Sequence, residues 1–226
     1  GKAHSPRLYS IASCRLGDDL DSTTVSLCVK RVVFTDEETQ EEVRGVASNY
    51  LCDLNEGDKI NIIGPIGRTF LLPEDPAADI IMVSVGTGIA PFRAFIHHMY
   101  KQDIKWKGQV RLFFGAKTSL DKLYMNNQNE DISQYYSIDT FKAFEAISRE
   151  AKNPDRRYVQ HTFEDNLNDI WSIIEKGDFS LYICGMKGME KGINEVLQAK
   201  AASVGLDWDE MRDAFKKTGR WNVEVY

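Results

Sequence analysis

The chain has 226 residues, 42% of them hydrophobic, 27% charged and 11% aromatic. That length gives one large domain or two small ones with a core that needs no staples, and that composition excludes disordered and fibrous chains. Twenty-eight basic against 34 acidic side chains leave a net charge of −6. This argues against a nucleic-acid carrier, which wants a basic face, and no apolar run approaches the ~20 residues of a membrane-spanning helix.

The first third reads as strands. Leu8 to Ser13 is a short one, Val25 to Phe34 a longer one, and Asp58 to Ile63 a third, closed by Gly64-Pro65 and Gly67. Five acids in the seven residues Asp36 to Glu42 mark a solvated hairpin tip. Turn-separated strands with few helices predict an antiparallel barrel or sandwich. Pro73-Glu74-Asp75-Pro76 reads as a linker, after which strands alternate with helices. Strands are expected over Asp79 to Val85, Gln109 to Phe114, up to Ser148 and over Ser180 to Cys184. Helices are expected over Ala90 to Tyr100, Phe163 to Glu175 and Met186 to Ala202, the last with Met186, Met189, Ile193, Val196 and Leu197 at helical spacing. Such alternation predicts a parallel sheet covered by helices, with ligands beyond the carboxyl ends of its strands.

Four cysteines, Cys14, Cys28, Cys52 and Cys184, are widely spaced and form no CxxC pair. That argues against a zinc site or disulfide framework and for a reducing compartment. The chain opens on Gly1-Lys2-Ala3-His4 without an initiator methionine or targeting pattern, as a trimmed or processed chain would.

Five segments carry chemistry. Val85-Gly86-Thr87-Gly88-Ile89-Ala90-Pro91 follows a strand and opens a helix. Gly86 and Gly88 allow close backbone approach, Pro91 suits the first helical turn, and the free N–H groups there suit a pyrophosphate. An ordinary glycine-rich turn has the same look. Ser148-Arg149 with Arg156, Tyr158 and Gln160 has the groups to hold a phosphomonoester and stack on an adenine, or is a set of surface side chains. After Phe114-Gly115 comes Ala116-Lys117-Thr118, with no acid for a free ribose, which favours NADPH over NADH. Cys184-Gly185 ends a buried strand before a helix that carries Gly188 and Glu190 in its first turn; the cysteine is packing filler or the wall of a nicotinamide pocket. Arg7 and Tyr9 share one strand face, with Ser10 on the other, as an edge strand or as a phosphate and ring site. The chain ends Gly219-Arg220-Trp221-Asn222-Val223-Glu224-Val225-Tyr226. That terminal aromatic either covers a flat cofactor or plugs an apolar seam.

Taken in order, these segments resemble plant-type ferredoxin–NADP⁺ reductases of plastids and cyanobacteria. The resemblance rests on Arg7-Leu8-Tyr9-Ser10, Leu27-Cys28-Val29-Lys30, Gly45-Val46-Ala47-Ser48-Asn49-Tyr50-Leu51, Gly86-Thr87-Gly88-Ile89-Ala90-Pro91, Ala146-Ile147-Ser148-Arg149-Glu150, Tyr182-Ile183-Cys184-Gly185 and the ending at Tyr226. It implies two domains: part of an antiparallel FAD-binding β-barrel over 1–73, and a Rossmann-like NADP(H)-binding α/β domain over 74–226. It also implies roles. Arg7 and Ser48 hold the FAD pyrophosphate, and Tyr9 and Tyr226 sandwich the isoalloxazine. Ser10 sits by the reactive flavin nitrogen, with Cys28 in the second flavin segment and Lys30 at the NADP⁺ pyrophosphate. Gly86, Thr87, Gly88 and Pro91, with Gly185, Met186 and Glu190, support the nucleotide. Ser148, Arg149, Arg156, Tyr158 and Gln160 grip its 2′-phospho-AMP half, while Cys184 and Glu224 flank the nicotinamide. Ser10, Cys184, Glu224 and Tyr226 form the catalytic set, and no metal is expected.

The implied reaction takes electrons from reduced ferredoxin through FAD and passes a hydride to NADP⁺, with Tyr226 stepping aside for the nicotinamide. Implied partners are an acidic ferredoxin, flavodoxin and a thylakoid complex, and the implied location is the plastid or the cyanobacterial cytoplasm. Lys2, Lys216 and Lys217 fit a ferredoxin-docking patch. The sequence departs from the family pattern in three ways. It starts six residues before the R-x-Y-S segment, where the family has several more strands, so the barrel's N-terminal part is absent from this chain. Phe34 replaces a frequent tyrosine, and Val85 and Ala47 replace a threonine and a cysteine. The open barrel keeps a second reading in play, a cofactor-less reductase-like subunit docked in a larger photosynthetic or redox assembly.

Overall fold

The computed structural model describes residues 5–67, 69–101, 105–150 and 156–226. The Lys2 docking assignment and part of the Ser148–Tyr158 loop lie outside them.

The back of the chain forms one five-stranded sheet, all parallel. Its strands are β3 (Asp79–Val85), β4 (Val110–Ala116), β5 (Phe141–Ile147), β6 (Phe179–Gly185) and β7 (Trp221–Val225), in the order β5-β4-β3-β6-β7. Both faces are covered, so the inner strands read as continuous apolar runs. Along β3 the side chains alternate. Ile81 and Val83 pack with Phe163, Ile170 and Trp208 on one side, while Ile80 and Met82 pack with Phe92 and Ile96 on the other. The first layer contains α3 (Val159–Asp165), α4 (Leu167–Lys176), α5 (Lys187–Ser203) and α6 (Trp208–Lys217); the second contains α2 (Ala90–Ile96). The chain runs outward from β3 to β5, then returns to the other side of β3 with β6. That reversal opens a crevice between the carboxyl ends of β3 and β6, where open parallel sheets bind ligands.

The expected elements in this half are present with shifted bounds. The helix predicted over Phe163 to Glu175 is two helices broken at Asn166, whose Nδ2 donates to the Thr162 carbonyl at 2.8 Å and competes with the helical ladder. The helix predicted to Tyr100 keeps α-geometry only to Ile96 and then widens into a π-turn over His97–Lys101. Helix α6 has no counterpart in the sequence reading. Its start is nevertheless encoded: Asp207 accepts hydrogen bonds from the Asp209 and Glu210 amides, with Lys216 and Lys217 in the last turn.

The front differs more. Among the described residues only a two-stranded antiparallel hairpin forms there, β1 (Val33–Thr35) with β2 (Glu42–Arg44), and its tip is the acidic run. Leu8 to Ser13 makes a single bridge, Ile11 to Leu27, and Asp58 to Ile63 is extended without a ladder. A strand is defined by its partners, and among the described residues these segments have none to complete a sheet. Helix α1 (Val46–Cys52) follows the hairpin, braced by Arg31, which donates to Asn49 Oδ1 at 3.1 Å and pairs with Asp53 at 2.7 Å. Further on, Phe70 lies edge-on to Tyr182 at 5.2 Å, and the Tyr182 hydroxyl donates to the Leu71 carbonyl at 2.6 Å, so this segment packs on the sheet.

Burial alone would raise the Asp131 carboxyl, but the hydrogen bond and charge of His97, and then those of Arg93, hold it down to about 2. A folded value below the unfolded one stabilises the protein above the ordinary carboxylate range and is lost as pH falls through it. Asp131→Asn removes that dependence. Urea denaturation should show the wild type losing about 1–2 kcal/mol more than the variant between about pH 5 and about pH 2, after allowance for solvent screening.

Candidate functional site

At the crevice, Gly86–Ile89 forms a 3₁₀ turn leading straight into α2, with Pro91 in the first helical turn. Gly86 has φ 55° with open space where a side chain would project, so ligand atoms can approach its backbone. Gly88 has the opposite surroundings. A Cβ there would fall on the Cys184 carbonyl group, far inside contact distance. The turn after β3 and the end of β6 therefore touch backbone to backbone.

Cys184 is buried at 1% exposure and lies opposite Ser84 on one side and Glu224 on the other. Burial, and then the Glu224 charge, push its thiol up to about 12 against the smaller opposing effect of the nearby Ser10 hydroxyl. Partial desolvation raises the Glu224 carboxyl. Tyr226 leaves the strand with its N–H on the Gly185 carbonyl at 2.9 Å, and its hydroxyl hydrogen-bonds the Thr87 hydroxyl at 2.9 Å. Its ring remains 66% exposed. The four expected catalytic residues, Ser10, Cys184, Glu224 and Tyr226, are thus brought to one seam, together with Gly86, Thr87, Gly88, Pro91 and Gly185.

A second cluster lies beyond β4 and β5. The Ser148 hydroxyl and amide both donate to the Ala116 carbonyl, at 3.2 and 3.0 Å, and the Arg149 amide donates to Lys117 at 2.7 Å. Arg149 itself is exposed. Tyr158 precedes α3 with its ring 5.7 Å from His161, while Gln160 packs where Gly192 leaves room on α5. Met186 is exposed at the head of α5 and Glu190 is half-buried one turn in. A serine hydroxyl, an exposed guanidinium and an exposed phenol on neighbouring elements suit a phosphomonoester beside an adenine. Arg156 is exposed, and its neighbour Arg157 pairs with Asp165.

The remaining expected residues lie apart. Arg7 donates to the Ser5 carbonyl at 2.8 Å. Ser48 accepts from the Val32 amide at 3.1 Å and donates to the Gly45 carbonyl at 3.3 Å, so its hydroxyl braces α1. Tyr9 is half-buried and Lys30 exposed. Cys28 is held against Tyr124, burial raising its thiol. The donor set therefore fits a nucleotide at the sheet's carboxyl edge. For FAD, the expected pyrophosphate groups Arg7 and Ser48 are bonded to backbone instead. The sequence reading passed over Ser84, whose buried hydroxyl has no partner among the described residues, and quoted Glu150 without a role, although it accepts from the Ser119 hydroxyl at 2.6 Å and ties the two loops of the second cluster. Glu150 was visible as the next residue after Ser148-Arg149; a buried serine in an apolar strand gives no signal.

A glycine-turned crevice at the switch point of a parallel sheet, with an anion-suited cluster beside it, defines a pyridine-nucleotide-binding oxidoreductase domain. The family model described as "Oxidoreductase NAD-binding domain" matches residues 82–195. The whole chain aligns with ferredoxin–NADP reductases: 46% identical to that of Thermosynechococcus vestitus, covering 60% of that protein, and 45% to that of Spirulina sp, covering 78%. It is 44% identical to the chloroplastic leaf isozyme 1 of Arabidopsis thaliana, covering 63%. The chain belongs to the ferredoxin–NADP reductase family, and it spans about three-fifths of the length of the first of these relatives.

Two outcomes follow from the seam. Gly88→Ala must push two backbones apart and should cost about 1–3 kcal/mol in chemical denaturation. In wild-type protein at mildly alkaline pH, iodoacetamide should modify exposed Cys52 readily and Cys184 hardly at all, as read by peptide mass spectrometry.

Proposed function

We propose that this chain is the nucleotide-binding half, with part of the flavin half, of a ferredoxin–NADP⁺ reductase that passes electrons from reduced ferredoxin through FAD to NADP⁺. Residues 74–226 form the NADP(H)-binding unit and 1–73 belong to the FAD-binding unit. The observation that carries this reading is the meeting at the crevice of Cys184, its ladder partner Glu224, and Tyr226, which is tied to Thr87 and Gly185. When bound, the flavin supplies the exchange between one-electron and two-electron steps, and NADP⁺ accepts the hydride.

The chain's own residues bind and orient. Ser148, Arg149 and Tyr158, with Gln160 and Arg156, take the 2′-phosphate and adenine. Gly86, Thr87, Gly88 and Pro91, with Gly185, Met186, Glu190 and Lys30, take the pyrophosphate and nicotinamide end. Arg7, Tyr9, Cys28 and Ser48 serve the flavin side. The high value of Cys184 keeps its thiol neutral, so it lines the ring pocket without adding a negative charge. Glu224 keeps a proton to higher pH than an exposed glutamate would. Tyr226 covers the pocket and leaves it by breaking the Thr87 bond.

Exposed Lys216 and Lys217 at the end of α6 suit an acidic iron–sulfur partner, ferredoxin first and flavodoxin second, with electrostatics acting mainly on encounter rate. The relatives' names support a plastid or cyanobacterial setting, and the same two lysines would serve docking to a thylakoid complex. Nothing in the relatives' names supports a cofactor-less docking subunit.

The deciding experiment is the visible spectrum of the full-length protein. A flavin band bleached anaerobically by NADPH supports the reading, and a colourless protein with a complete barrel overturns it. Arg149→Glu should raise the KM for NADPH about 10- to 100-fold while leaving NADH unaffected. Tyr226→Ser should tighten NADP⁺ binding and slow turnover; unchanged affinity would remove the gate.

A further inference from the structure

Outside the crevice, the most elaborate polar arrangement centres on Arg93 of α2, 8% exposed. Its Nη1 donates to the Ala12 carbonyl at 2.7 Å and to Asp18 Oδ1 at 2.8 Å. Its Nε donates to Asp131 Oδ2 at 2.5 Å, and its guanidinium lies 5.0 Å from the Tyr124 ring centroid. Asp18 is held a second time, its carbonyl accepting from Lys101 Nζ at 2.5 Å, in the π-turn that ends α2. One guanidinium therefore joins three segments: the front strand segment, the nucleotide helix and the loop after β4.

The location gives this cluster its consequence. Ala12 is two residues from Ser10, whose hydroxyl comes near enough to Cys184 to oppose the rise of its thiol. Ile11, between them, makes the isolated bridge to Leu27. The segment that carries Ser10 thus has little ladder of its own, and its distance from the sheet is fixed by a planar fork reaching from the helix that Gly86–Pro91 opens. A fork with donors in fixed directions can hold a carbonyl and two carboxylates at once, which a lysine cannot.

We propose that Arg93, with Asp18, is a positioning residue that clamps the front segment to the nucleotide helix and so sets the spacing of Ser10 from Cys184. It touches neither ring site. Its effect on turnover rests on the reductase reading above; its effect on the seam does not.

The test compares Asp18→Ala, Arg93→Gln and Asp131→Asn in the full-length protein. Cys184 modification by iodoacetamide is followed by mass spectrometry, with Cys52 as the internal reference. Losing a charge-assisted bond from the clamp should raise the relative rate at Cys184 about tenfold in Asp18→Ala and in Arg93→Gln. Asp131→Asn removes support on the loop side only and should leave that rate within about twofold of wild type. In the flavin-loaded protein, Asp18→Ala should lower kcat for NADPH-dependent dye reduction about tenfold with little change in KM, because the Ser148 cluster is untouched.

If Arg93→Gln fails to fold, Asp18→Ala decides alone. An unchanged Cys184 rate in a folded Asp18→Ala protein overturns the clamp. So does a rise equal to that of Asp131→Asn, which would mark general loosening. A faster Cys184 with unchanged kcat overturns the positioning role. A wild-type protein that does not oxidise NADPH overturns the reductase reading, while the labelling comparison still decides the clamp.

Discussion

The backbone of Gly88 against the carbonyl of Cys184 is the contact from which the rest of the site follows. Two parallel strands, β3 and β6, lie side by side, and the chain leaves each in a different direction. Only a residue without a Cβ lets the turn after one strand rest on the end of the other. With that contact made, the N–H groups at the head of α2 and the Cys184 side chain come to the same edge. β7 then adds Glu224 beside Cys184 and carries Tyr226 back over Thr87. A single close approach thus brings together residues spread from Thr87 to the end of the chain.

The two arginines buried among the described residues are each compensated by carboxylates. Arg93 faces Asp18 and Asp131; Arg111, 3% exposed, faces Asp169 through Nε at 2.5 Å and Nη2 at 3.2 Å. An unpaired buried charge would cost several kcal/mol, so neither arginine is an accident of packing. Their positions differ in effect. Arg111 pins α4 to the sheet within one layer and adds rigidity. Arg93 reaches across to the front segment, and a pair that bridges two parts of a molecule controls their separation as well as their stability.

Much of the back half was legible because its signals are local. Four-residue apolar runs such as Ile80-Ile81-Met82-Val83 have the length of doubly covered strands, and Gly86-Thr87-Gly88 directly after one of them has the composition of a tight turn. Asn166 was less legible, since a polar residue inside an amphipathic pattern is tolerated until its side chain captures a carbonyl. Helix α6 had capping signals at Asp207 and Gly219 but was overshadowed by the motif that follows it. The front half was misread for a different reason. Leu8 to Ser13 and Asp58 to Ile63 have strand composition, but a strand requires a neighbour, and composition says nothing about whether one is present. In the site, the residues carried by turns and strand ends were readable. Arg93 was not, because an arginine four residues into a helix looks like any surface cation until its partners are known.

The energetics of Tyr226 follow from how it is held. Its strand is fixed to β6 by ladder bonds that continue to the Tyr226 amide on Gly185. Its ring is two-thirds exposed and has one side-chain hydrogen bond, to Thr87. A neutral bond of that kind is worth about 0.5–1.5 kcal/mol net. Swinging the ring away therefore costs about a two- to tenfold shift in population, whereas withdrawing the strand would break the ladder. With its amide tied to Gly185 and its ring held by one neutral hydrogen bond, Tyr226 has a backbone that is costly to shift and a side chain that is cheap to move.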